Sequence, residues 1–258
     1  MANGTFAGHT SDDYWNFTGP FGGATAATLL RAVMEHPGRA GTPLSITVNF
    51  CAPVAKGDFT IAVREVRSNR STQHWSMELM QAEAGIATTA TAVFAQRRES
   101  WAHQSAQMPP VPAPETLAPL PMQGMMAWLQ RYEFRFANGM PKRLSATPNA
   151  EPGGALSQMW INEKPSRPLD FLSLLAFSDT FFGRIFHVRG AMFPIGTVSM
   201  TTYFHVDADD LAANGDAPVF GVADGKVFNK GFSDQTGDLW SREGRLLATS
   251  HQIVYFRA

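Results

Sequence analysis

The chain of 258 residues is 44% hydrophobic, 11% aromatic and only 17% charged, which excludes a disordered or coiled-coil protein and leaves room for one large domain or two small ones. Its 21 basic and 22 acidic residues give a net charge of -1, so the summed charge offers no general attraction to nucleic acid or anionic lipid. Any anionic ligand must be held by a local site. In chain order, Gly22-Gly23 precedes a run of helix formers with one apolar face, which predicts a helix near residues 22 to 35. Strand-like runs follow at Leu44 to Phe50, Asp58 to Val66, Gln73 to Gln81 and Ile86 to Phe94. Six of the 17 prolines then fall between Pro109 and Pro121, a composition that resists helix and central strand and reads as an extended linker. Beyond it the order recurs. A helix is predicted near residues 170 to 187, then strand-like runs at Thr197 to Val206, Ala217 to Ala223, Leu239 to Arg242 and Leu246 to Phe256.

The recurrence has a register. Arg184 lies 153 positions after Arg31, Ser199 lies 154 after Ser45, and the run from Leu246 overlays that from Ile86 at an offset of 160. The second copy has therefore gained about six residues, which the turn-rich stretch Asp207 to Ala217 would hold. These offsets favour an internal duplication over a generic α+β protein, with a first repeat at 1–104, a proline-rich linker at 105–127 and a second repeat at 128–258. A long helix followed by antiparallel strands that bury one face suggests an α+β fold in which a sheet wraps around the helix.

Several motifs carry a resemblance. The runs Asn3-Gly-Thr-Phe6, Trp15-Asn-Phe-Thr-Gly-Pro-Phe-Gly-Gly23 with the helix after it, Trp160-Ile-Asn162, Pro168 to Asp179, and Gly244 to Arg257 resemble double-hotdog acyl-CoA thioesterases, including the bacterial type II enzymes. The resemblance spans nearly the whole chain. It implies two fused hotdog units, each a long helix wrapped by an antiparallel sheet, hydrolysing acyl-CoA in lipid metabolism without metal or organic cofactor.

Asp179 is informative by itself. On a helix its neighbours three, four and seven positions away include Leu172, Leu175, Ala176, Phe182 and Phe186, so its carboxylate would face apolar surroundings. Burial raises a carboxylate's pKa, the tuning a general base needs near neutral pH. The plainer reading is a helix-terminal acid that reaches water or a backbone N–H. Gln252 interrupts an otherwise apolar strand end, where an unpaired amide is costly, although the residues by themselves favour a satisfied strand glutamine at a sheet edge. Thr197 by itself is a weak signal, since threonine is common in strands for packing reasons. The resemblance joins the three, implying that Asp179, Thr197 and Gln252 together hold and activate a water. By the offsets they overlay Ala26, Pro43 and Ala92, so the first copy lacks all three groups and one centre per chain is expected.

Other signals point elsewhere. The histidines form no His-Glu-x-x-His motif, and His205 and His251 read as packing residues, so no metal site is expected. Gly22-Gly23 before a helix could offer backbone N–H groups to a carbonyl or phosphate, but it belongs to no dinucleotide or phosphate-loop pattern, and its simpler use is close packing of the helix on the sheet. The absence of Gly-x-Ser-x-Gly disfavours a serine hydrolase. The cluster Arg67 to Ser71 either meets coenzyme A phosphates or forms a solvated turn. Methionines such as Met122, Met125, Met126 and Met192 would line an acyl pocket or fill the core. The one cysteine, Cys51, forbids an intramolecular disulfide. The N-terminus lacks a signal peptide's regions and no apolar run is long enough to span a bilayer, so a cytoplasmic protein without membrane insertion is expected. The expected partners are acyl-CoA, no nucleic acid, and a second copy in a homodimer or larger homo-oligomer. Two alternatives stand beside the thioesterase: a non-catalytic acyl-binding protein, and an enoyl-CoA hydratase or dehydratase, whose Gly-Asp-x-Asn-Pro-x-His signature is absent.

Overall fold

A computed structural model describes residues 4–83, 85–140 and 151–257; Asn3, at the head of the first motif, lies outside them. The first copy contains β1 (Thr5–His9), α1 (Gly22–Met34), β2 (Thr42–Phe50), β3 (Asp58–Ser68), β4 (Thr72–Gln81) and β5 (Gly85–Ala95). The second contains β6 (Tyr132–Asn138), β7 (Ser157–Glu163), α2 (Phe171–Phe177), α3 (Arg184–Arg189), β8 (Ile195–Phe204), α4 (Ala208–Asn214), β9 (Val219–Asp224), β10 (Phe228–Asn229), β11 (Phe232–Trp240) and β12 (Leu246–Phe256). Burial alternates along β4, with Trp75, Met77 and Leu79 turned inward, as expected of a strand with one face on a core. On α1 the buried Ala26, Leu29, Leu30 and Val33 form the stripe that the sheet covers.

Among the described residues, all strands join one antiparallel 12-stranded sheet in the order β1-β3-β4-β5-β2-β8-β12-β11-β9-β7-β6, with β10 attached to β11. The two copies meet where β2 pairs with β8. Thr47 and Thr201, themselves 154 positions apart, are partners there, and their hydroxyls are 3.0 Å from each other. A residue that pairs with its own counterpart marks a pseudo-two-fold axis. A second coincidence supports it: β2 bulges at Leu44, between Pro43 and Ser45, and β8 bulges at the equivalent Val198, between Thr197 and Ser199. The helices follow the same symmetry, because α1 packs on α2 and Gly23 meets Ala176, its counterpart at an offset of 153.

Four expectations need correction. The helix predicted near 170 to 187 is broken at residues 178–183, between α2 and α3. Ser178 Oγ donates to Leu174 O at 3.2 Å and Thr180 Oγ1 to Phe177 O at 2.9 Å, local bonds that compete with helix continuation. The added length in the second copy is largely a helix, α4, started by a capping box between Asp207 and Asp210 and ended at Gly215, whose φ is 58°. The last but one strand runs over Phe232–Trp240 rather than 239 to 242, since its inward face carries the small or polar Ser233, Gln235 and Gly237 and gives little apolar signal. His205 and His251 are exposed rather than packed; His205 Nε2 lies 3.0 Å from Thr249 Oγ1.

The proline-rich segment is a cover rather than a free tether. Met108, Val111 and Leu117 pack on a cluster of Trp160, Phe220 and Trp240, and Trp160 Nε1 donates to Pro112 O at 2.9 Å. No helix among the described residues is long and apolar enough to cross a membrane.

Candidate active site

The break after α2 places Asp179 in a turn at the N-terminus of α1. That terminus begins at Phe21, which has no side-chain cap to offer, so the first amides of α1 need an acceptor from elsewhere. Asp179 supplies it from the other copy, taking a hydrogen bond from the Gly23 N–H. Only glycine permits this approach: a Cβ at Gly22 would stand 2.7 Å from Asp179 Oδ2, and one at Gly23 would stand 2.7 Å from Ala176 O. The glycine pair thus packs helix against helix and bares amides toward a carboxylate, a more specific task than packing on the sheet.

Gln252 completes the arrangement from β12. It is 2% exposed and faces inward. Its Nε2 donates to Asp179 Oδ1 and to Ser178 O, each at 3.1 Å, while its Oε1 accepts from Thr197 Oγ1 at 3.3 Å. The bulge at Val198 allows this. It breaks the alternation of β8, so Thr197 stands opposite Val254 and turns its hydroxyl toward the Gln252 side chain. The three residues singled out from the sequence therefore form one hydrogen-bonded chain. Both plainer readings hold part of the truth: Asp179 does end a helix and take a backbone N–H, and Gln252 is satisfied.

Burial pushes the Asp179 carboxyl up to about 7, because desolvation outweighs the hydrogen bonds from Gln252 and Gly23 that favour the charged form. The carboxyl lies in the wall of a cavity of about 780 Å³. The cavity sits at the junction of the copies: Asn16, Gly22 and Phe50 come from the first, and Asp179, Thr197 and Gln252 from the second. Met125, Met126, Met140 and Met192 line it, whereas Met122 is in the core. The Arg67 to Ser71 cluster spans the exposed end of β3 and the turn into β4, and does not line this cavity. Among the described residues, no three His, Cys, Asp or Glu side chains gather as metal ligands.

The symmetric position in the first copy is closed. Register pairs Ile46 with Ala92 in one copy and Met200 with Gln252 in the other, so Ala92 occupies the equivalent place. Ala92 and Ala26 are both fully packed.

A helix wrapped by its sheet, present twice and fused through β2 and β8, is the double-hotdog fold. The family models for the acyl-CoA thioesterase N-terminal and C-terminal domains match residues 11–95 and 106–256, and the chain belongs to the acyl-CoA thioesterase family. Among solved structures it is similar to a conserved protein of unknown function with a hotdog fold from Alicyclobacillus acidocaldarius. Identity there is 42%, the TM-score is 0.90, and 98% of this chain and 93% of that one are covered. An acyl-CoA thioesterase II, TesB2, from Mycobacterium marinum shares the fold at a TM-score of 0.77 and 17% identity, over 98% and 93% of the two chains. A tesB protein from Mycobacterium avium subspecies paratuberculosis does so at 0.78 and 18%, over 100% and 95%. Comparison with curated proteins finds no match.

Two further groups line the cavity. The Gly22 backbone is one, whose N–H the sequence offers as a donor to a carbonyl but reads more simply as packing. The other, Gln235 on β11, is not predicted from sequence, because its strand gives little apolar signal.

Proposed function

We propose that the protein hydrolyses acyl-CoA thioesters to free acid and CoA, with Asp179 as general base and Gln252 and Thr197 as its partners. The observation that carries this reading is the hydrogen-bonded chain Thr197–Gln252–Asp179, ending at a carboxyl whose pKa of about 7 suits proton transfer at neutral pH. Gln252 spends its N–H groups on Asp179 and Ser178, which fixes the carboxylate. Thr197 spends its hydrogen on Gln252, which leaves its oxygen free to accept. A water donating one hydrogen to Thr197 and the other to Asp179 is then oriented with a lone pair outward.

That lone pair attacks the thioester carbonyl carbon while Asp179 takes the proton. Charge moves to the carbonyl oxygen, where the Gly22 amide and the positive end of α1 oppose it. The C–S bond of the tetrahedral adduct then breaks, and the carboxyl returns its proton to the CoA sulfur. Purified protein incubated with an acyl-CoA panel, followed for free thiol and for enoyl hydration, should release thiol. Hydration without thiol release would make it a hydratase, and tight binding with neither would make it an acyl-binding protein.

A further inference from the structure

Gln235 is 3% exposed, lies opposite Gln252 across β11 and β12, and lines the cavity. Its Oε1 accepts from Arg184 Nε at 3.1 Å. Arg184 is 2% exposed and donates further to Ala155 O at 2.8 Å, to Ser157 Oγ at 2.7 Å and to Phe182 O. A guanidinium carries only donors, so the glutamine must turn its oxygen toward Arg184 and its NH2 away. Among the described residues, that nitrogen donates no hydrogen bond, and Gln235 bonds through its oxygen alone. Nor is Gln235 needed to satisfy the arginine, since Phe182 O also accepts from Nε, at 3.0 Å. The surrounding wall includes Phe181, Phe182, Phe186 and Ile195. An oriented amide donor at such a wall meets only water in the cavity and is set to take an acceptor that a ligand brings.

We propose that Gln235 is a specificity-determining residue: its amide N–H donates to an oxygen on the acyl chain, so the cavity selects acyl thioesters that carry a hydroxyl or oxo group near the carbonyl over plain alkanoyl chains. The position follows from pairing, because cross-strand partners hold their Cβ atoms about 5 Å apart, which puts the donor within about three carbons of the atom attacked beside Gln252. Gln252 cannot take this part, as its own N–H groups are engaged. The inference rests on the thioesterase reading, and its test separates the two.

The assay compares thiol release from saturated acyl-CoA with release from 3-hydroxyacyl-CoA of equal length, in wild type, Gln235→Met and Gln235→Glu. Methionine keeps the bulk without the amide; glutamate keeps an acceptor for Arg184 and offers no hydrogen when ionised. Wild type should favour the hydroxylated chain by about tenfold or more in kcat/KM, and in both variants the ratio should fall toward one, chiefly through loss on the hydroxylated member. Equal kcat/KM for the pair in wild type would overturn the proposal. So would variants that slow both members alike, since Gln235 would then serve the thioester itself or the fold. If no acyl-CoA released thiol, the thioesterase reading would fail, and calorimetric binding of a 3-hydroxy acid against its saturated analogue would still decide the role of Gln235.

Discussion

Replacing Asp179 with asparagine should separate what the carboxylate does for chemistry from what it costs the fold. The amide keeps the shape and can leave Oδ1 facing Gln252, but it cannot accept a proton at neutral pH. Hydrolysis should fall by about two to four orders of magnitude, the scale for losing a general base. Stability should move the other way. The carboxyl rises from 3.8 in the unfolded chain to about 7 in the fold, so between those values the folded protein holds a proton that the unfolded chain has released. Stability is therefore lost as pH rises through this window. At about 1.4 kcal/mol per pH unit the ceiling is about 4 kcal/mol, and halving it for the water that the cavity admits leaves about 2 kcal/mol. For a chain of this size that is a Tm gain of about 4 to 8 °C for Asp179→Asn at pH 8, shrinking toward zero near pH 4. Thermal denaturation across pH 4 to 8 measures it, alongside the wild-type rate, which should climb with pH to a plateau above about 7. A variant no more stable than wild type at pH 8, or a Tm difference independent of pH, would refute the argument that burial raises this carboxyl.

The other predictions concern the two copies and the glycine pair. Gln252→Ala should lower thiol release by about a hundredfold, because the carboxylate loses its orienting donor. Ala92→Gln should restore no second centre, since Ala26 and Pro43 place neither base nor hydroxyl beside it, and burying the amide should lower stability by about 1–3 kcal/mol in urea denaturation. Activity gained in Ala92→Gln would contradict the single-centre reading. Gly22→Ala brings a Cβ to 2.7 Å from Asp179 Oδ2, so the carboxylate must shift. Its kcat should fall at least tenfold with a smaller change in KM, and a variant with unaltered kcat would remove the α1 terminus from the reaction.

Much of the fold is legible from local pattern. Apolar periodicity marks α1 and most strands, and the offset of 154 that relates Ser45 to Ser199 reappears in space as the pairing of Thr47 with Thr201. The exceptions include β11, where Ser233, Gln235 and Gly237 face in and give little apolar signal, β1, five residues long with Gly8 next to its end, and β6. For the site, the sequence and its resemblance to a family named Asp179, Thr197 and Gln252, and an acid among apolar neighbours was enough to expect a raised pKa. The source of that burial was not legible. Helical spacing places Asp179 on the face of a continuous helix, whereas hydroxyl bonds at Ser178 and Thr180 end α2 and leave it in a turn. What encloses it is the start of a helix more than 150 positions earlier. Periodicity reports which face of an element is buried, and it carries no record of which distant element does the burying. The junction of the copies, the Gly23 amide at the carboxylate and the turning of Gln235 by Arg184 are contacts between such distant elements, and only the tertiary structure decides them.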